Sequence, residues 1–155
     1  MEGATRIEVD DLSRPQVQGL LADHIAEMRA TSPPESVHAL DLDGLSAPSV
    51  TVWTMWEGST VLGCAALKEL SPSEGEIKSM RTSSAARGRG VAGRMLAHLM
   101  EEARTRGYRR LSLETGAEEF FAPARRLYAR HGFTECAPFA EYDPDPLSVF
   151  MTREL

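Results

Sequence analysis

A single α/β domain with a mixed, mainly antiparallel sheet is predicted by three features of the sequence. The elements read in the order β-α-(α)-β-β-β-α-β-α-β-β. The three central strand-like runs are joined by turns too short for crossovers, so they form an antiparallel meander. Two amphipathic helical stretches flank the strand that follows, and such helices bury their apolar side on a sheet. With 155 residues, 42% of them apolar, the chain can build one core and not two, so one domain over residues 1–155 is expected.

Each element has its own reason. Arg6–Asp11 reads as a first strand. Arg14–Ala30 spaces Val17, Leu20, Leu21, Ile25 and Met28 near a 3.6-residue period, which predicts a helix. Ser13 is the expected cap and Pro15 fits the first turn. Ser32-Pro33-Pro34 stops the helix, Glu35–Leu40 fits one helical turn, and Asp41–Ser49 reads as a loop. Val50–Trp56 is β-branched and aromatic, and Glu57-Gly58-Ser59 turns it into Thr60–Leu70. Ser71–Gly75 turns again into Glu76–Thr82. Gly90–Arg106 carries Val91, Met95, Leu96, Leu99, Met100 and Ala103 on one helical face, with Gly107 at its C-terminal end. Arg110–Glu114 is a strand, and Pro123–His131 a second amphipathic helix ended by Gly132. Phe133–Ala137 and Ser148–Thr152 are the last strands. Trp53 and Trp56 have opposite parity, which predicts one in the core and the other free to line a pocket.

The net charge of −6 is unevenly laid out. Residues 1–80 carry −8, residues 81–134 carry +6, and residues 135–155 carry −4. All 11 bases of the middle block are arginines, whose forked guanidinium suits phosphate. One basic block on an acidic protein fits a compact phosphorylated ligand and argues against a nucleic-acid partner. No apolar run approaches the ~20 residues that span a bilayer, so no membrane partner is expected. The acidic start lacks the apolar stretch of a secretory signal, and two cysteines make no disulfide framework; a cytoplasmic protein is expected. His24, His38, His98 and His131 have no metal-ligand spacing, so no metal is expected, and Cys64 reads as core.

Chemistry concentrates at Arg87, Gly88, Arg89, Gly90, Val91, Ala92 and Gly93, just ahead of the long amphipathic helix. Glycines let backbone N–H groups approach a ligand, and a helix N-terminus favours anions, so the segment reads as a pyrophosphate cradle. Gly88 to Gly93 also satisfies G-x-G-x-x-G. A dinucleotide site fails on context: the first glycine lies well past the strand end, hairpins precede it, and too little chain follows Glu114. No Gly-Lys-Ser/Thr is present for a Walker loop.

Two longer patterns remain. Arg87-x-x-Gly90-x-Ala92 opens the helix, and Ala124-x-x-Leu127-Tyr128-x-x-x-Gly132-Phe133 covers the next one. In these the chain resembles the GNAT (Gcn5-related) N-acetyltransferase superfamily. The resemblance is firm over residues 50–155, and Cys136-x-Pro138-Phe139-x-x-Tyr142 looks like a small bacterial subgroup. It implies a sheet splayed between its fourth and fifth strands, with helices on both faces. It implies acetyl-CoA as acetyl donor, with the pantetheine arm along Met80, Arg81 and Thr82 and the pyrophosphate on the 88–93 loop. It implies direct transfer to an amine of a small molecule or peptide. Glu76, eleven residues before Arg87 as in the histone-acetylating members, is then the first candidate base, and Glu114 the second. Tyr128 is the candidate acid for the departing thiolate. His24, Met28 and His38 fall on the first helices, which in the family wall the acceptor site. Many members carry an asparagine where Phe121 stands. A non-catalytic acyl-CoA sensor on the same fold is the alternative, and exposed edge strands permit a homodimer.

Overall fold

The computed structural model describes residues 4–34 and 42–155. Its elements are β1 (Thr5–Val9), α1 (Pro15–Thr31), α2 (Leu42–Leu45), β2 (Val50–Glu57), β3 (Thr60–Ser71), β4 (Glu74–Thr82), α3 (Val91–Thr105), β5 (Arg110–Gly116), α4 (Ala122–Arg130), β6 (Thr134–Cys136) and β7 (Ser148–Glu154). The seven strands form one sheet in the order β1-β2-β3-β4-β5-β7-β6. Every neighbouring pair is antiparallel except β4 and β5, whose parallel crossover is made by α3.

Each face of the sheet has its own core. On one side α3 sends down the six positions expected from its periodicity, Val91, Met95, Leu96, Leu99, Met100 and Ala103, onto Ala65, Leu67, Ile77, Leu111 and Leu113. On the other, Val17, Leu20 and Leu21 of α1 and Leu45 of α2 pack on Val52, Trp56, Cys64 and Ala66. Both tryptophans are therefore core, Trp53 on the α3 side and Trp56 on the α1 side. The expectation that one of them lines a pocket is corrected: a sheet covered on both faces buries both parities. Ser13 does not cap α1 either. Arg14 holds the cap position with no side-chain cap bond, while the Ser13 hydroxyl donates to Asp11. Asp10 ties this corner to the sheet, accepting from Arg14 at 2.7 Å, Thr54 at 2.8 Å and the Leu12 N–H at 2.8 Å.

The sheet opens in its middle. β4 and β5 pair only from Glu74↔Arg110 to Ile77↔Leu113; residues 78–82 and 114–116 then run on without pairing to each other. A bulge starts this divergence. Cys64 pairs with Arg81 and Ala66 with Lys78, so Ser79 and Met80 share the space opposite Ala65. Ser79 takes a left-handed φ of 54°, which costs a non-glycine residue about 1–3 kcal/mol and places strain where the cleft begins.

Phe121 fills the floor of the β5–α4 turn. It is buried, and a β-carbon on Gly116 would overlap its ring. Gly116→Ala is expected to lose about 1–3 kcal/mol, the usual cost of overpacking, read as a lower urea midpoint at unchanged slope.

Candidate active site

The splay leaves a cleft whose walls come from α1, β4, β5 and α4. Glu76, Met80, Glu114, Tyr128, His24 and Met28 all line one cavity there, of about 100 Å³. A second cavity, of about 360 Å³, is walled by Met80, Thr82, Arg87, Gly88, Gly90, Val91, Ala92, Gly93 and Tyr128. Met80 and Tyr128 belong to both, so the loop and the carboxylates face one continuous groove.

The loop is built to leave room. Gly88 and Gly90 have φ of 80° and 74°, and a β-carbon on either would meet nothing within 4 Å. Glycine is needed there for backbone conformation, and open space lies in front of it. No side chain caps the N-terminus of α3, so its first N–H groups remain available to an anion. Arg87 stays beside the loop. Arg89 does not join it: its guanidinium donates to Glu57 at 2.9 Å, and it is absent from the groove's walls. The pyrophosphate expected on the 88–93 loop would therefore meet the backbone N–H of Arg89 and not its guanidinium.

Arg81 points back at α1, where Glu27 receives both arms of its guanidinium at 2.5 and 2.9 Å. This hydrogen bonding raises the Arg81 pKa and lowers that of Glu27. Arg87 stands 3.7 Å from the same carboxylate. Burial, helped by the Arg81 charge, pushes His24 down to about 4, so its ring is neutral at pH 7. His38 lies outside the described residues.

Tyr128 is buried, and its phenol is pushed up to about 12 by burial and by the charge of Glu114. Its ring meets Phe133 edge-on at 6.0 Å. Glu76 is 2% exposed. Its Oε2 accepts from the Tyr142 hydroxyl at 2.5 Å and from Lys78 Nζ at 3.2 Å, while Lys78 donates to the same hydroxyl at 2.7 Å. Tyr142 sits on the β6–β7 loop and is held by Phe139 and Phe150, with ring centroids 5.2 and 5.4 Å away. Burial and the Glu76 charge raise the Tyr142 pKa, so it remains a donor. Cys64 is fully buried and pushed up to about 12, which makes it a poor nucleophile. Among the described residues no group of three or more His, Cys, Asp or Glu could hold a metal.

A groove of this kind, with a phosphate-ready helix start and a buried phenol, agrees with the motifs of the sequence. The profile of the Acetyltransferase (GNAT) family matches residues 17–133. The chain belongs to the GNAT acetyltransferase family. A relative, the uncharacterised N-acetyltransferase YsnE of Bacillus subtilis, is 54% identical over 96% of this chain and 99% of its own. YedL of Escherichia coli, an uncharacterised N-acetyltransferase by name, is 48% identical over 96% of this chain and 94% of its own. Among solved structures, one from Klebsiella pneumoniae named for the acyl-CoA N-acyltransferases superposes with a TM-score of 0.80 at 28% identity, covering 97% of both chains. Acetyl-CoA is the acetyl donor of the GNAT fold, and the splayed mixed sheet is that fold.

Sequence reasoning missed the partners of the site. Tyr142 stood in a quoted pattern without a role, and nothing pointed to Lys78 or Glu27. The only available signal was their charge or hydroxyl, since their contacts cross 64 to 66 positions for Tyr142 and 54 for Glu27.

Proposed function

We propose that this GNAT enzyme transfers the acetyl group of acetyl-CoA directly to an amine within a ternary complex. The observation that carries the reading is the convergence of Glu76, Glu114 and Tyr128 on one cavity that shares Met80 with the glycine loop. The backbone N–H groups of residues 88–93 and Arg87 hold the pyrophosphate, and Met80, Arg81 and Thr82 flank the pantetheine arm.

The acceptor arrives as an ammonium, since alkylamines ionise near pH ~10. Glu76 takes one proton, directly or through a water. The amine nitrogen then bonds to the thioester carbonyl carbon, whose oxygen is met by a backbone N–H near Met80. The carbon–sulfur bond breaks as Tyr128 gives its proton to the departing thiolate; the nitrogen then gives up its second proton, which restores the Tyr128 phenol, and the products are the amide, CoA thiol and the proton held by Glu76. Tyr142 and Lys78 hold Oε2 of Glu76 and so orient the carboxylate. The charge of Glu114 helps keep the Tyr128 phenol protonated.

Two free cysteines, one fully buried, support a reducing cytoplasmic setting. No helix among the described residues is long and apolar enough to cross a membrane. Release of free thiol from acetyl-CoA across a panel of amines tests the reading. Acceptor-dependent release is expected. Binding of acetyl-CoA with no release on any amine would favour a sensor instead.

A further inference from the structure

Beyond the cleft, a larger cavity of about 840 Å³ lies over β3, β4, β5 and β7 beneath the β6–β7 loop. Glu76, Lys78 and Tyr142 wall both this cavity and the cleft, so the two meet at the candidate base. Its floor is an in-register row with one residue from each strand: Lys68, Glu76, Ser112 and Thr152. The adjacent row on the opposite face reads Leu67, Ile77, Leu113 and Met151, all buried. The same four strands are thus apolar on one side and carry charge and hydroxyl on the other. Within that row Ser112 and Thr152 share a hydrogen bond and Glu76 is held by Tyr142 and Lys78, which leaves Lys68 as the member that makes no such bond among the described residues.

The charges on that floor are unequal in their partners. Glu76 stands directly opposite Lys68 but gives Oε2 to Lys78 and Tyr142. Lys68 is half-buried and forms no ion pair with any described residue. A half-buried ammonium that makes no ion pair with a described residue can still take an anion, although Glu69, Glu74, Glu76 and Glu141 line the same cavity. Lys68 and Glu76 line the same cavity from neighbouring strands, so one ligand bearing both an amine and a carboxylate can meet both side chains. Phe139 and Tyr142 add an aromatic wall above.

We propose that this cavity seats the acceptor and that the acceptor is an amino-carboxylate with an apolar or aromatic body. Its amine lies at Glu76, its carboxylate at Lys68, and its side chain against Phe139 and Tyr142. The inference rests on the acetyl-transfer reading above. In the reaction the ammonium nitrogen loses two protons, one to Glu76 and one that replaces the proton Tyr128 gives to sulfur, and gains the acetyl carbon; CoA leaves as the thiol, and the carboxylate is unchanged.

The test compares phenylalanine, leucine and tryptophan with their methyl esters and decarboxylated amines, by thiol release and by calorimetric binding to the CoA-saturated protein. The acid of at least one set is expected to exceed its ester in kcat/KM by about 10–100-fold, the worth of one charged hydrogen bond. Lys68→Met should shrink that ratio to about threefold or less through the acceptor KM, with the KM for acetyl-CoA unmoved, and Lys68→Arg should restore it. Esters or simple amines that match the acids in the wild type, or a ratio that survives Lys68→Met, overturn the proposal and leave acetyl transfer standing. If no amine is acetylated, the transfer reading fails on its own, and calorimetry decides the cavity. Carboxylate-dependent binding supports it, and its absence overturns it.

Discussion

Glu76→Gln is expected to lower kcat/KM by about 10²–10⁴-fold, the usual contribution of a general base. Glutamine keeps the shape of the side chain and can still accept from Tyr142 and Lys78, so the fold should survive; what it lacks is a proton acceptor. The loss should appear in kcat as well as in kcat/KM, because the base acts only as the amine becomes a nucleophile. It should shrink as the assay pH rises toward the pKa of the amine, where the acceptor arrives already neutral. Steady-state rates from pH 7 to 10 check both points. A variant within about twofold of wild type at pH 7 would move the base role to Glu114 or to solvent.

Tyr128→Phe is expected to lower kcat by about 10²-fold while leaving the melting temperature close to that of wild type. Phenylalanine keeps the buried ring against Phe133 and removes only the proton donor. The phenol is pushed up to about 12, so it remains protonated through the whole assay range. The wild-type profile should therefore have no alkaline fall from Tyr128 below about pH 11. The same shift acts on stability with a definite sign. An unfolded tyrosine ionises near pH ~10 and the folded one only near 12, so the unfolded state gives up its proton first. This contribution to stability is complete below pH ~10 and is lost as pH rises toward 12. Urea midpoints at pH 9 and pH 11, compared between wild type and Tyr128→Phe, check it.

What could be read from the sequence was what repeats locally. The apolar face of α3 is the predicted one, residue for residue, because a 3.6-residue period over 15 residues leaves little freedom. Gly107 and Gly132 end their helices with φ of 84° and 88°, as glycines in those places should. Boundaries were weaker. β4 starts at Glu74 rather than Glu76, since Glu74 and Gly75 look like turn residues until their pairing with β5 is known. Leu42–Leu45 is a helical turn inside a segment that reads as loop, held by the burial of Leu45. The site divides in the same way. The loop and Tyr128 belong to contiguous patterns, so the sequence alone can name them as candidates. The contacts of Glu76 with Tyr142 and of Arg81 with Glu27 join distant parts of the chain, and local pattern carries no record of them.

The opening between β4 and β5 changes how the sheet presents itself to other chains. An ordinary open sheet has two edges at which foreign strands can add, and this one has four. The outer pair is blunt: β6 is three residues long, and β1 carries Arg6 and Glu8. The inner pair, residues 78–82 and 114–116, faces itself across a gap flanked by α1 and α4. A second copy of the protein cannot lay a strand there without displacing a helix. A slender extended molecule bearing amide groups can. The fold thereby keeps strand backbone without a neighbouring strand open to a ligand while withholding it from aggregation.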